Sequence, residues 1–268
     1  MSELFGRAWS VQVGQPGQRV SEWSQLRTSF RVTKTTKKEP NKAEIRVYNL
    51  SPDSISRAQE KNAIVRLMAG YQIPQTIFLG DIDSAEVERS RTDTILKIQA
   101  QDGGRQYRKA TLDKAYAPGT ALQEIFDDLF RVLGLPKGAV KVPTFTYSNA
   151  VTINGHIRDT LDRLVASLGL EWFIMDGAIQ VFKADATPNR GPLVSANTGM
   201  IGSPQPWTDE KQRTGVEVRS LMLPSIQPSN RFELRSKQFN GFYRADEVEH
   251  IGDSHANDWY TVIRARVQ

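Results

Sequence analysis

The sequence predicts a mainly β fold carrying an α+β insertion, on three observations. Apolar residues recur every second position near both ends of the chain. They recur at helical spacing only in the middle. An Asp-Gly pair between two apolar runs, Asp176-Gly177, marks a tight hairpin within that middle region.

The first strands come from Leu26 to Thr33, where Leu26, Phe30 and Val32 fall on one face, and from Ala43 to Tyr48, where Ala43, Ile45 and Val47 do. Asn49-Leu50-Ser51-Pro52-Asp53 breaks the alternation, and a short helix is expected through Ala58. Ala63–Gly70 and Thr76–Gly80 read as strands separated by a turn near Ile73-Pro74. Glu86–Ala100 reads as a hairpin turning at Ser90-Arg91-Thr92-Asp93. From Thr120 the period changes. Leu122, Ile125, Phe126, Leu129 and Leu133 form one apolar stripe, with Thr120 expected as N-cap, Gln123 in capping-box position and Gly134 as the stop. A second stripe, Ile157, Leu161, Leu164, Val165 and Leu168, ends at Gly169. The hairpin Glu171–Phe182 follows. Pro188 to Pro206, rich in Pro, Gly, Ser and Asn, reads as an extended linker. Strands return at Thr214–Leu221, Arg231–Ser236, Gly241–His250 and Trp259–Val267. The expected parts are residues 1–109, an inserted module at 110–187, and linker plus β domain at 188–268.

The 268 residues contain no cysteine, which excludes disulfides and thiolate chemistry and fits folding in a reducing cytoplasm. No run of 18 apolar residues and no basic-then-apolar leader occurs, so neither a membrane span nor an ordinary export signal is expected. A net charge of +5 raises nucleic acid as a partner. The cations are scattered, however, and the densest group, Lys34, Lys37 and Lys38, is short and offset by Glu39, so a lysine-bearing loop is the simpler reading.

Chemistry-bearing candidates are few. His250, Asp253 and His255 lie within six residues, which raises a metal site, but Gly252, Ser254 and Asn257 make a polar loop between strands the better reading. Asp81 and Asp83 flank Ile82, and on one strand face they would repel each other unless a cation or Arg lies between. There is no HExxH, Walker loop, GxSxG or dinucleotide fingerprint. Two rivals to a structural role remain: a glycan- or receptor-binding module using Trp23, Trp207 or Trp259, and a hydrolase using Asp81, Asp83 and His250.

Serial motifs then carry a family resemblance. Ile45-Arg46-Val47-Tyr48-Asn49-Leu50-Ser51, Val65-Arg66-Leu67-Met68-Ala69-Gly70-Tyr71 and Ile77-Phe78-Leu79-Gly80-Asp81-Ile82 resemble the opening of baseplate hub proteins of contractile-tailed phages. Val151–Gly155, Asp159–Leu164 and Leu168–Trp172 are similar to that family's inserted module. Leu221–Ser229, Gly241–Arg244, His250–Asp253 and Trp259 resemble its second barrel. The resemblance implies two tail-tube-like β-barrel domains separated by a small α+β module. It implies a homotrimer whose six barrels join a six-fold tail tube to a three-fold central spike, related to the spike-side proteins of type VI secretion. Expected partners are other copies of itself, a tail tube or distal tube protein and the spike, with the tape measure protein and other baseplate subunits as further candidates. DNA would pass through the lumen without specific binding, and the lumen is expected not to be strongly positive. The expected location is the virion baseplate, assembled in the host cytoplasm. The resemblance supplies no catalytic residue, cofactor or metal, and it leaves cell-wall cleavage and membrane puncture to other subunits.

Overall fold

Alternation at the two ends of the chain builds strands, and the computed structural model shows them hydrogen-bonded into one sheet of 13 strands. It describes residues 4–15, 17–90, 92–103, 109–187, 189–209 and 213–268. The chain divides into two units. One comprises Met1–Thr36, Asn41–Gln101 and Thr187–Gln268; the other comprises Lys37–Pro40 and Asp102–Ala186.

In the first unit the early strands are β1 (Arg7–Gly14), β2 (Ser21–Trp23), β3 (Thr28–Thr35), β4 (Lys42–Tyr48), β5 (Ile64–Tyr71), β6 (Ile73–Ser90) and β7 (Asp93–Gln101). Helix α1 (Pro52–Ala58) lies between β4 and β5. Ser51 caps it by accepting from the Ser54 amide, and Pro52 opens it, where its missing N–H costs nothing. The late strands are β13 (Arg190–Ser195), β14 (Met200–Thr208), β15 (Thr214–Leu221), β16 (Arg231–Arg235), β17 (Asn240–Asp253) and β18 (Trp259–Val267). The main path runs β14-β15-β18-β17-β3-β4-β7-β6-β5-β1-β2, with β16 also pairing β17 and β13 pairing β16.

The expected strands and the hairpin closed by Ser90↔Asp93 are present, although Arg91 of that turn lies outside the described residues. The turn expected at Ile73-Pro74 sits slightly earlier, at Gln72, whose φ of 56° makes the tight reversal between β5 and β6. The linker expected at 188–206 is a correction. Residues 190–195 and 200–208 are strands, because their prolines occupy places where a missing donor is tolerated. Pro192 and Pro204 fall within register shifts, and Pro206 faces away from β15. Two buried apolar clusters serve this unit. One is formed by residues such as Val32, Ile45, Leu67, Phe78 and Ile98, the other by Val218, Phe232, Leu234, Val248 and Ile263.

The second unit holds β8 (Lys114–Tyr116), α2 (Leu122–Leu133), β9 (Lys137–Val140), β10 (Val151–Ile153), α3 (Ile157–Ser167), β11 (Leu170–Met175) and β12 (Ala178–Lys183). Both helical stripes face its core, where Ile125, Phe126, Leu129, Leu161 and Val165 pack with Trp172 and Val181. The N-cap of α2 is Ala121 rather than Thr120. The Thr120 hydroxyl donates back to the Ala117 carbonyl (2.8 Å) while its own carbonyl accepts from the Tyr147 amide, so it is committed to a turn. Asp176 and Gly177 both adopt positive φ, 49° and 76°, as the hairpin between β11 and β12 requires. Asp128 accepts from Lys114, Tyr116 and Arg131, which hold its carboxyl below the ordinary range against the cost of burial. Burial, and then the bond to Asp128, push Tyr116 up to about 12. Among the described residues no helix is long and apolar enough to cross a membrane.

Candidate assembly surface

The surface of interest is built from a repeat that the pairing registers reveal. In the first half the neighbours run β3-β4-β7-β6-β5; in the second they run β14-β15-β18-β17-β16, in the same chain order and with the same antiparallel sense. Lys42–Tyr48 pair residue for residue with Gln101–Ile95, and Gly215–Leu221 pair likewise with Arg266–Tyr260. This superimposes Ala43-Glu44-Ile45-Arg46 on Val216-Glu217-Val218-Arg219, and Ile98-Gln99-Ala100 on Ile263-Arg264-Ala265. The correspondence ends at the next strand, since β1 joins β5 antiparallel whereas β13 joins β16 parallel.

The long strands β6 and β17 are the corners of the two halves. Each carries a bulge, at Asp83 between Ile82 and Ser84, and at Asp246 between Ala245 and Glu247. Up to the bulge each pairs with the strand before it, β5 or β16. Beyond the bulge β17 turns to β3, from Glu247↔Thr35 to Asp253↔Ser29, and this ladder joins the two halves. The corresponding stretch of β6, Ser84 to Ser90, has no strand on that side among the described residues.

Charge clamps hold the joint. Asp246 accepts from buried Arg244 (3.0 Å) and from Arg266. Burial raises the Asp253 carboxyl, but Arg27 and the His255 and Ala256 amides outweigh it and hold the group below its usual range. Beneath the ladder lie Lys34 and His250, both fully buried. Lys34 Nζ donates to Gln227 (3.1 Å), and His250 Nδ1 is 2.9 Å from the Thr261 hydroxyl. Burial, and then the Lys34 charge, hold His250 at about 3, so it is neutral.

The solvent face of the eight strands from β14 to β6 balances its charges. Arg31, Lys42, Arg46, Lys97, Arg219, Arg264 and Arg266 are interspersed with Glu44, Glu86, Glu88, Glu217, Glu247 and Glu249, and Arg266 is held by Asp246 of the bulge. Arg31 pairs with Glu249 (2.7 Å), Arg46 with Glu44 (2.8 Å), and Arg264 with both Glu217 (2.8 Å) and Glu247.

The residues singled out from the sequence do not assemble a reaction centre. His250 and Asp253 belong to β17 rather than to a loop, His255 follows in the turn with Nδ1 against Ser254 (2.8 Å), and His156 precedes α3 in the other unit. Among the described residues no three His, Asp or Glu side chains gather as a metal would require. Asp81 pairs across to Gln101 in register, and Asp83 is the exposed bulge residue. Trp23 and Trp259 are buried and Trp207 half-buried, so these three form no exposed stacking platform. Lys34, grouped in sequence with a surface loop, is a core residue instead. Two like β domains were expected from the resemblance; what local pattern did not give is the residue-by-residue correspondence between them. Its trace was available in the paired Ala-Glu-Ile-Arg and Val-Glu-Val-Arg segments.

A sequence family described as baseplate hub gp41 matches residues 10–265. No curated protein matches by sequence. Among solved structures, a 43 kDa tail protein of prophage MuSo2 from Shewanella oneidensis has a TM-score of 0.72 at 8% identity, covering 96% of both chains. A tail protein from Neisseria meningitidis has a TM-score of 0.70 at 12% identity, covering 97% of this chain and 96% of that one. An Escherichia coli component of the type VI secretion system, described as structurally similar to the T4 tail proteins gp27 and gp5, has a TM-score of 0.67 at 11% identity. It covers 96% of this chain and 76% of its own. At such identities these likenesses speak for the fold.

Proposed function

The chain belongs to the baseplate hub gp41 family, and from that premise we propose that it is a homotrimeric, non-enzymatic adaptor ring in a phage tail baseplate. The ring would join a six-fold tail tube to a three-fold spike and form part of the conduit for DNA. The observation that carries this reading is the repeated strand order, joined within one chain by the β3–β17 ladder. Two like halves per chain give a threefold assembly six like wall elements, which is what a three-to-six symmetry adaptor needs. The halves at 1–109 and 188–268 would be the wall, with 110–187 as a separate module available to other baseplate subunits.

The charge-balanced solvent face supports the conduit part of the reading. A wall of free cations would bind phosphates and release counterions, and so hold DNA in place. A wall whose cations are interspersed with as many carboxylates, and in part paired with them, offers a passing polyanion less to grip. The ring would be assembled in the host cytoplasm and reside in the virion. Mass measurement in solution, alone and with the spike protein added, tests the trimer: three chains per particle are expected. A monomer under both conditions would refute the adaptor.

A further inference from the structure

The joint inside the chain is a template for a joint between chains. We propose, resting on the trimeric hub reading above, that the free edge of β6 pairs antiparallel with β14 of a second copy, as β17 pairs with β3. The superposition of the halves places β6 on β17 and β14 on β3, so the internal contact is heterologous: two different edges meet. Each copy then keeps one spare edge of each kind, β6 and β14. Contacts of that type close into a ring or run on as a fibre, and three copies of two halves close as six.

The register follows from the template. Glu249↔Thr33 becomes Glu86↔Trp207, His250↔Val32 becomes Val87↔Pro206, and Ile251↔Arg31 becomes Glu88↔Gln205. Three local features fit. Val87 is 41% exposed although the matching His250 is fully buried, so an apolar residue sits bare where its counterpart is covered. Gly252, opposite Phe30, has no room for a Cβ because the Phe30 ring fills it. Its match in β6 is Arg89, and the match of Phe30 in β14 is the small bulged segment Gly202-Ser203-Pro204, which leaves room for a side chain. The diagonal Arg31–Glu249 ion pair becomes Gln205 beside Glu86, an amide facing a carboxylate.

Two features bound the ladder. The Ala85 carbonyl already accepts from Gln59 Nε2 (3.0 Å), which makes Glu86 the inner limit of the free edge. Pro206 presents a carbonyl but no N–H to the newcomer, so this position forms one bond where His250 and Val32 form two. An edge blunted in this way resists promiscuous pairing while it still accepts a strand of matching register.

Because the chain has no cysteine, disulfide trapping reads the contact directly. Glu88 and Gln205 fall at a non-hydrogen-bonded pair, where Cα atoms lie about 4.5 Å apart, within disulfide reach. The full-length double variant Glu88→Cys/Gln205→Cys, oxidised gently, is expected to give covalent species of two and three chains and none larger. Either single variant is expected to stop at a dimer of low yield. Native mass of the reduced protein, with and without the spike protein, is measured alongside. A trimer by mass without the crosslink would overturn the strand pairing and leave the hub reading intact. A crosslinked ladder continuing beyond three would uphold the pairing and refute the threefold ring. A monomer with no crosslink would overturn both.

Discussion

Strands β17 and β6 hold the same place in the two halves of the sheet, yet their far ends meet different surroundings. Beyond the bulge, Val248, His250, Gly252 and Asp253 are buried beneath or beside β3. At the matching positions Ala85 is half-buried, and Val87, Arg89 and Ser90 are exposed. Strand order and register are the same, so the difference comes from a neighbour. The covered end has evolved the residues a covered strand needs: a glycine under an aromatic ring, a neutral buried imidazole and a clamped aspartate. The open end keeps one exposed apolar residue, Val87, among charged and polar ones, as an edge that must stay soluble until it is met would.

The bulge aspartates should separate the two ends most sharply. Asp246→Ala removes the carboxylate that pairs with buried Arg244 and with Arg266 and is expected to cost about 3–5 kcal/mol of unfolding free energy. Asp83→Ala, at the exposed counterpart, should cost less than about 1 kcal/mol, as loss of an exposed polar contact does. Urea midpoints of the two variants check this, and equal losses would break the equivalence of covered and open corners.

Acid should act on the covered end alone. His250 titrates at about 3 in the folded chain and near its ordinary value when unfolded, so the unfolded chain takes up the proton first. Stability present above pH 6.5 is therefore lost as pH falls toward 3, on the order of a few kcal/mol between pH 7 and pH 4. Asp253, held low, adds to the loss below the ordinary carboxylate range. His250→Gln is expected to shrink the difference between urea midpoints at pH 7 and pH 4. Val87→Gln should leave it unchanged.

Apolar truncation gives a smaller contrast. Val248→Ala removes a fully buried side chain and should cost about 2 kcal/mol, whereas Val87→Ala should cost the monomer under about 0.5 kcal/mol. Val87→Ala should instead lower the trimer fraction at fixed concentration. Smallest of all, Glu249→Gln, which removes the half-buried partner of exposed Arg31, should change stability by less than about 1 kcal/mol.

Much of the architecture was legible in the chain because period and turn chemistry are local. The Leu122–Leu133 stripe, Asp176-Gly177, and the alternation through Ala43–Tyr48 and Trp259–Val267 all became the expected elements. Failures came where a distant partner decides. Pro192, Pro204 and Pro206 look like linker residues until β15 and β16 supply the ladders that excuse them. Thr120 looks like a cap until Tyr147 draws it into a turn. Lys34 looks like a surface lysine until Gln227, far along the chain, meets it in the core. The assembly surface was less legible still, because an edge is defined by what fails to pair with it, and local pattern carries no record of that.

Cryo-EM of the assembled tail end is the most direct test, since it resolves how many chains form the ring and what lies beside β6. The expected map shows three chains whose six half-sheets run as one continuous wall, with β14 of each chain against β6 of the next. Three chains meeting by other surfaces with β6 facing solvent, or a ring of any other copy number, would contradict it.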